Sequence, residues 1–322
     1  MSHTTRNSNN GSKSRKNTNN STQREDSANS PQNRGFSSKN KGFKASKSRN
    51  LRPDRSKGMK MHSEIASPRA NRDRKSSGNR NTGGNGQWIW GFHAADSALK
   101  NNKRVFHKIL MTPKSVERLK LDPSRPFKST KIEIVTPADI DAVLPDGAVH
   151  QGVALSCAPL LSHHLDDIAE EAKGLIIVLD QITDPHNVGA MFRLARAFNA
   201  KAIIMQSRNA PPLAGAVTKV AVGTVESVPH VFVTNIANTL LALQKMNWRV
   251  TGLAGEADLT LQQALTNADA EVIVMGAEGP GLRKRVRDCC DQLAKIPMPG
   301  GAESLNVSTA AAIALYEVVR NQ

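Results

Sequence analysis

Leu175-Ile176-Ile177-Val178-Leu179, followed by Asp184-Pro185-His186-Asn187-Val188-Gly189, is the stretch on which the fold turns. The first five residues are apolar without a break, the pattern of a strand covered on both faces. The hexapeptide ends that strand and starts a helix. At about 100° per residue, Val188, Met191, Phe192, Ala195 and Phe198 share one face, while Gly189, Arg193 and Arg196 cluster about 140° away. The apolar face belongs against a sheet. The other face offers two guanidiniums beside a residue without a side chain, where a phosphate-bearing ligand has room to approach. The competing reading is a solvated face, with Asp184 or Asn187 as the helix cap; it is the better account of Arg196.

Working outward, 202–205, 228–233, 249–253 and 272–275 repeat the strand pattern, and helical patterns at 236–245 and 308–319 separate or follow them. Together they predict an α/β domain over 174–322, with a mostly parallel sheet and helices on both faces. The last helix is apolar nearly all round (Ala310, Ala311, Ala312, Ile313, Ala314, Leu315, Val318, Val319). It is therefore expected to be buried on more than one side, the second being a subunit interface.

Toward the N-terminus, short elements alternate over 87–157: helices at 93–100, 115–120 and 137–143, strands at 106–110, 132–135 and 151–155. This predicts a second, small α/β module. Residues 158–173 read as a linker with one helical turn, its His163-His164 pair in solvent rather than on a metal. Residues 1–86 hold 20 Lys and Arg against 5 Asp and Glu, which accounts for almost all of the formal net charge of +16. That segment has Phe36 and Phe43 as its only aromatics and no periodicity, so it is expected to be a disordered basic arm. Such an arm suits a polyanionic partner, most simply nucleic acid; a solubilising tail is the plainer alternative, and a transit peptide is disfavoured for want of Leu and Ala. With no long apolar run or hydrophobic signal segment, the protein is expected to be soluble and cytoplasmic, without membrane contact. Cys157, Cys289 and Cys290 show neither CxxC spacing nor histidine companions, which disfavours disulfides and any metal site.

Two further motifs sit where strand-like runs end, the place where open α/β sheets bind ligands. Val274-Met275-Gly276-Ala277-Glu278-Gly279-Pro280-Gly281 has its glycines in neither the Rossmann nor the Walker order, so dinucleotide binding and ATPase chemistry are disfavoured. What it supplies is a carboxylate, Glu278, held between glycines; the plainer reading is a turn residue in water. Ile296-Pro297-Met298-Pro299-Gly300-Gly301 is a stiff extended segment followed by a bend. It leads into Ser304-Leu305-Asn306-Val307-Ser308, where Ser304 and Asn306 are each equally readable as an N-cap or as a site residue.

These three blocks closely resemble the signature motifs of the SpoU/TrmH branch of the SPOUT RNA methyltransferases, and within it the bacterial 23S rRNA guanosine 2′-O-ribose methyltransferases. Trp90-Gly91-Phe92-His93-Ala94 and Asp146-Gly147-Ala148-Val149-His150-Gln151-Gly152 resemble the segments that open and close that group's small L30e-like substrate domain. The resemblance covers 87–322 and excludes the arm. It implies a knotted (trefoil) methyltransferase domain, a homodimer and S-adenosylmethionine as cofactor, cradled around Gly276, Ile296, Met298 and Leu305. By motif match it makes Asn187, Arg193, Glu278, Ser304 and Asn306 the polar residues of the active site, the arginine being the family's proposed general base. The implied reaction is methylation of a guanosine 2′-hydroxyl in 23S rRNA. A tRNA 2′-O-methyltransferase and a non-catalytic RNA-binding or ribosome-assembly factor of the same fold are the alternatives.

Overall fold

A computed structural model of the chain describes residues 86–266 and 269–321; the basic arm, apart from Gly86, lies outside them. The first part runs β1 (Gln87–Trp90), α1 (Phe92–Lys100), β2 (Phe106–Met111), α2 (Pro113–Leu119), β3 (Ile132–Ile134), α3 (Pro137–Asp141) and β4 (Val153–Cys157). After α4 (Leu165–Ala169) come β5 (Gly174–Asp180), α5 (Pro185–Ala197), β6 (Ala202–Gln206), α6 (Ala216–Val220), a 3₁₀ turn (Thr224–Glu226) and β7 (His230–Val233). The chain continues through α7 (Ile236–Lys245), β8 (Arg249–Leu253), β9 (Leu259–Thr260) and α8 (Leu261–Ala264). It ends with β10 (Ala270–Gly276), α9 (Lys284–Arg287), β11 (Gln292–Lys295) and α10 (Val307–Arg320).

Seven strands form one parallel sheet in the order β7-β6-β5-β10-β8-β11-β9. Its centre is the β5–β10 pair, and alternation along both strands shows why Leu175 to Leu179 and Val272 to Met275 carry no polar break. Leu175, Ile177 and Leu179, with Ile273 and Met275, face a core shared with Val188, Met191 and Phe192 of α5 and Ala311, Ala314 and Leu315 of α10. Ile176 and Val178, with Val272 and Val274, face the opposite core against Ile236, Leu240 and Leu243 of α7. The smaller sheet has the order β1-β4-β2-β3, antiparallel except for β2–β3. Strands β1, β9 and β11 were not foreseen: β1 is two tryptophans and an isoleucine without a full period, and β11 (Gln-Leu-Ala-Lys) has too few apolar residues to stand out.

Two readings need correction. Gly189 does not open a way to a ligand. It is buried under α6, where an added Cβ would lie 2.7 Å from Val220 Cβ and 2.8 Å from the Val217 carbonyl oxygen. The missing side chain serves helix–helix contact. His163 is not in solvent either: it is partly buried, its ring centroid 6.0 Å from that of buried His230. Burial pushes the His230 imidazole down to about 4, so it stays neutral among Phe192 and Phe232. Helix α10 buries Val307, Ala311, Ala314, Leu315 and Val318, while Ile313, Tyr316 and Val319 form an exposed stripe. That stripe is the side on which the expected subunit interface would lie.

No helix among the described residues is long and apolar enough to cross a membrane. No group of three or more His, Cys, Asp or Glu among them could hold a metal ion. The three cysteines are free, and burial pushes the Cys157 and Cys290 thiols up to about 12, which keeps both protonated at neutral pH.

Candidate active site

The site lies at the carboxyl ends of β5 and β10, whose last residues, Asp180 and Gly276, are register partners. Three loops leave the sheet there. The loop after β5 is ended by Asp184, whose carboxylate accepts from the Asn187 backbone N–H at 2.8 Å; Asp184, not Asn187, is the N-cap of α5, and Pro185 opens the helix. Asn187 is thereby free to use its side chain elsewhere.

The loop after β10 folds back on its strand. Ala277 and Gly281 pair as an isolated bridge, and the Gly281 N–H donates to the Ala277 carbonyl at 2.9 Å. Gly276 is what permits this: an added Cβ would lie 2.2 Å from the Gly281 carbonyl carbon. The loop is anchored beyond the glycines. Arg283 donates from Nε to Asp180 Oδ1 (2.8 Å) and from its backbone N–H to Oδ2 (3.0 Å), and its Nη2 lies 2.6 Å from Oδ1 in the ion pair. Asp180 is fully buried, and among the described residues this charge-assisted clamp is the only hydrogen bonding that compensates its carboxylate. The clamp was missed at the sequence level. Its signal was a charged residue closing an otherwise apolar strand and an arginine immediately after a glycine loop.

The third loop runs from β11 to α10. Asn306 caps α10, its Oδ1 accepting from the Ser308 N–H at 2.9 Å, and its Nδ2 donates to Asn187 Oδ1 at 3.2 Å. Capping and site contact, the two competing readings of Asn306, are thus both present, on opposite ends of one amide. Ser304 does not cap.

Between the last two of these loops and the loop after β8 lies a cavity of about 530 Å³. Gly276, Glu278, Ile296, Met298, Ser304 and Leu305 all line it, and Leu253 and Met275 complete an apolar wall. Glu256 and Arg287, paired with each other, stand at its charged side and were not singled out from the sequence. Asn187 and Asn306 are joined outside the lining, and Arg193 stands exposed further along α5. No side-chain hydrogen bond or ion pair joins Arg193 or Glu278 to another described residue. The motif residues therefore divide between a cavity and the flank of a helix. A volume of this size suits a nucleoside-sized ligand, and the apolar wall, loop backbone and scattered carboxylates fit an adenosine-bearing cation such as S-adenosylmethionine.

Comparison with known proteins gives a consistent result. Residues 88–162 match the family described as RNA 2′-O ribose methyltransferase substrate binding, and residues 174–316 match the SpoU rRNA Methylase family. The 23S rRNA (guanosine-2′-O-)-methyltransferase RlmB of Vibrio vulnificus is 39% identical over 243 residues, covering 73% of this chain and 97% of the relative. The protein of the same name from Escherichia coli K12 is 36% identical over 242 residues, covering 73% and 99%. Among solved structures, the SpoU methyltransferase AviRb from Streptomyces viridochromogenes, in complex with the cofactor AdoMet, superimposes with a TM-score of 0.63 at 23% identity. That match covers 76% of this chain and 93% of the other.

Proposed function

The chain belongs to the SpoU rRNA methylase family, and we propose that it is an S-adenosylmethionine-dependent enzyme that methylates the ribose 2′-hydroxyl of a guanosine in 23S rRNA. The observation that carries this reading is the convergence of two separated motifs on one cavity, with the third motif's guanidinium-bearing helix joined to it through the Asn306–Asn187 bond.

Gly276, Ile296, Met298 and Leu305 would hold the cofactor, mostly through backbone and apolar contact. When bound it supplies an electrophilic methyl group. The protein's own work is to bring a 2′-oxygen into line and to stabilise the charge that develops on it. Arg193 suits the second task. A guanidinium keeps its proton at any working pH, so its role is to stabilise the developing alkoxide and to grip the adjacent phosphate through its planar fork. The Asn306–Asn187 bond would orient the start of α5, and Ser304 lines the cavity two residues before Asn306. Glu278, free at the tip of its loop, is assigned to holding this polar network when substrate is present.

The two small-domain motifs also converge. The Phe92 N–H donates to Gln151 Oε1 at 2.8 Å, and the Arg118 guanidinium lies 3.6 Å from the Phe92 ring centroid. Exposed His93 and Val149 flank them. An aromatic, a stacked arginine and an exposed aliphatic suit unstacked bases of an RNA loop, and the basic arm adds sequence-blind attraction. The exposed Ile313, Tyr316 and Val319 stripe supports a homodimer. A trefoil knot around the cavity is part of the same reading.

The decisive experiment is transfer of labelled methyl to total RNA followed by nucleoside mapping. Label on a guanosine 2′-oxygen of 23S rRNA is the expected result. Label on a base, or on tRNA, overturns the assignment.

A further inference from the structure

The small domain is not merely tethered to the catalytic domain; residues 215–226 clamp it in three places. First, the Gly215 N–H donates to the Trp88 carbonyl at 2.8 Å, and a Cβ on Gly215 would lie 2.9 Å from the Trp90 ring. Second, a Cβ on Gly223 would lie 2.1 Å from Ser97 Oγ and 3.0 Å from the His93 carbonyl oxygen. Third, Arg104 reaches across from the loop before β2 to Glu226. Its Nε lies 3.0 Å from both carboxylate oxygens and its Nη2 lies 2.8 Å from Oε1. Asn101 Nδ2 adds a 2.7 Å bond to Glu226 Oε2, and Arg104 Nη1 donates to the Ala158 carbonyl at 2.8 Å. The two charged side chains are 1% and 5% exposed.

A fully bonded, buried ion pair is poor evidence of stability, because desolvation offsets its attraction, but it fixes geometry: every alternative arrangement strands a charge. The geometry it fixes leads straight to the site. The clamped segment contains α6, which packs on Gly189 of α5 with no room for a methyl group, and α5 carries Asn187 and Arg193. A continuous run of tight contacts thus joins the RNA-recognition motifs at Phe92 and His93 to the catalytic helix.

We propose that this clamp is a ruler, with Arg104 and Glu226 as positioning residues that decide which ribose of a bound RNA reaches Arg193. The proposal rests on the functional reading above. An RNA gripped by the small domain presents its backbone at a set distance from α5, and only the nucleotide at that distance is aligned. Loosening the clamp leaves both binding surfaces intact and blurs the distance between them. The predicted defect therefore lies in turnover and in choice of nucleotide, not in affinity.

The test compares wild type with two variants on unmodified, in vitro-transcribed 23S rRNA and labelled S-adenosylmethionine. Arg104→Met/Glu226→Met removes both charges while keeping volume and stranding neither partner. Gly223→Ala keeps the ion pair and wedges the surfaces apart. Both are expected to retain cofactor and RNA affinity, to lose kcat on the order of 10²-fold, as misplacement by about an ångström does, and to spread label to neighbouring riboses. Wild type that labels one ribose, with variants that label the same ribose at the same kcat, overturns the ruler alone. Variants whose loss lies entirely in RNA or cofactor affinity overturn it too. Wild type that labels no RNA ribose overturns the functional reading, and the ruler falls with it.

Discussion

The two walls of the site are made of different material. The cavity wall is backbone: a glycine loop folded onto β10, held from behind by the Asp180–Arg283 clamp, with apolar side chains filling the gaps. The α5 wall is side chain: Arg193 projects from an exposed helix surface without an intramolecular partner among the described residues, and Asn187 has one bond. A backbone wall cannot be weakened by trimming its side chains; it is damaged by additions or by loss of its support. A side-chain wall fails by deletion. The difference predicts opposite mutational signatures on either side of the proposed reaction centre.

The largest effect is expected from Arg283→Met. It leaves the Asp180 carboxylate buried with only the residue-283 N–H, and stranding one member of a buried pair costs about 3–5 kcal/mol. Asp180→Ala should cost less, because the Arg283 guanidinium is 37% exposed and can turn to water. Chemical denaturation of both variants measures the gap; equal losses would show that the stranded Asp180 carboxylate is not what sets the cost.

Next comes Arg193→Ala. Removing a group that stabilises transition-state charge costs about 3–4 kcal/mol, or roughly 10²–10³ in kcat. Stability and cofactor affinity should be untouched, because the side chain bonds to nothing else in the described fold. Arg193→Lys should be nearly as impaired, for want of the planar fork. Methyl transfer near the wild-type rate in either variant would remove α5 from the chemistry.

Gly276→Ala, an addition of one methyl, is the matching probe of the other wall. The new Cβ meets the Gly281 backbone, which cannot yield as a side-chain tip can, so the loop must shift at a cost of about 1–3 kcal/mol. The loss should surface as weaker S-adenosylmethionine binding in calorimetry, whereas Glu278→Gln, which keeps the size of a side chain on the same loop and removes only its charge, should weaken that binding less.

The same division of material explains what could be read from the residues. The central sheet was legible because strands buried on both faces must be apolar throughout, as in Leu175 to Leu179. Asn187, Arg193 and Asn306 were legible as polar residues placed where a helix begins or turns outward. What stayed hidden were pairings between distant positions: Asp180 with Arg283, Arg104 with Glu226, and Gly189 with Val220. Each member looks ordinary in its local window, and only tertiary structure turns a glycine into a helix contact or an arginine into a buried counter-charge. The error over Gly189 has this origin. Absence of a side chain signals close approach, and the sequence does not say of what.

Asn306 stands where the two walls meet, and it offers the smallest and most discriminating effect. One end of its amide accepts from Ser308 as the cap of α10, and the other donates to Asn187. Asn306→Ala removes both bonds, and loss of a cap of this kind costs about 1 kcal/mol. Asn306→Asp separates them. Asp caps as well as Asn, and its charge adds a few tenths of a kcal/mol at a helix N-terminus; but a carboxylate cannot donate, so it faces Asn187 Oδ1 without a bond. If Asn306 is only a cap, the Asp variant should be as stable as wild type and as active. If the bond to Asn187 orients α5, the Asp variant should keep its melting temperature and lose about tenfold in kcat, the equivalent of roughly one hydrogen bond. Melting curves and single-turnover methyl transfer on the same three proteins separate the two roles, because the Asp variant alone moves the second measurement without the first.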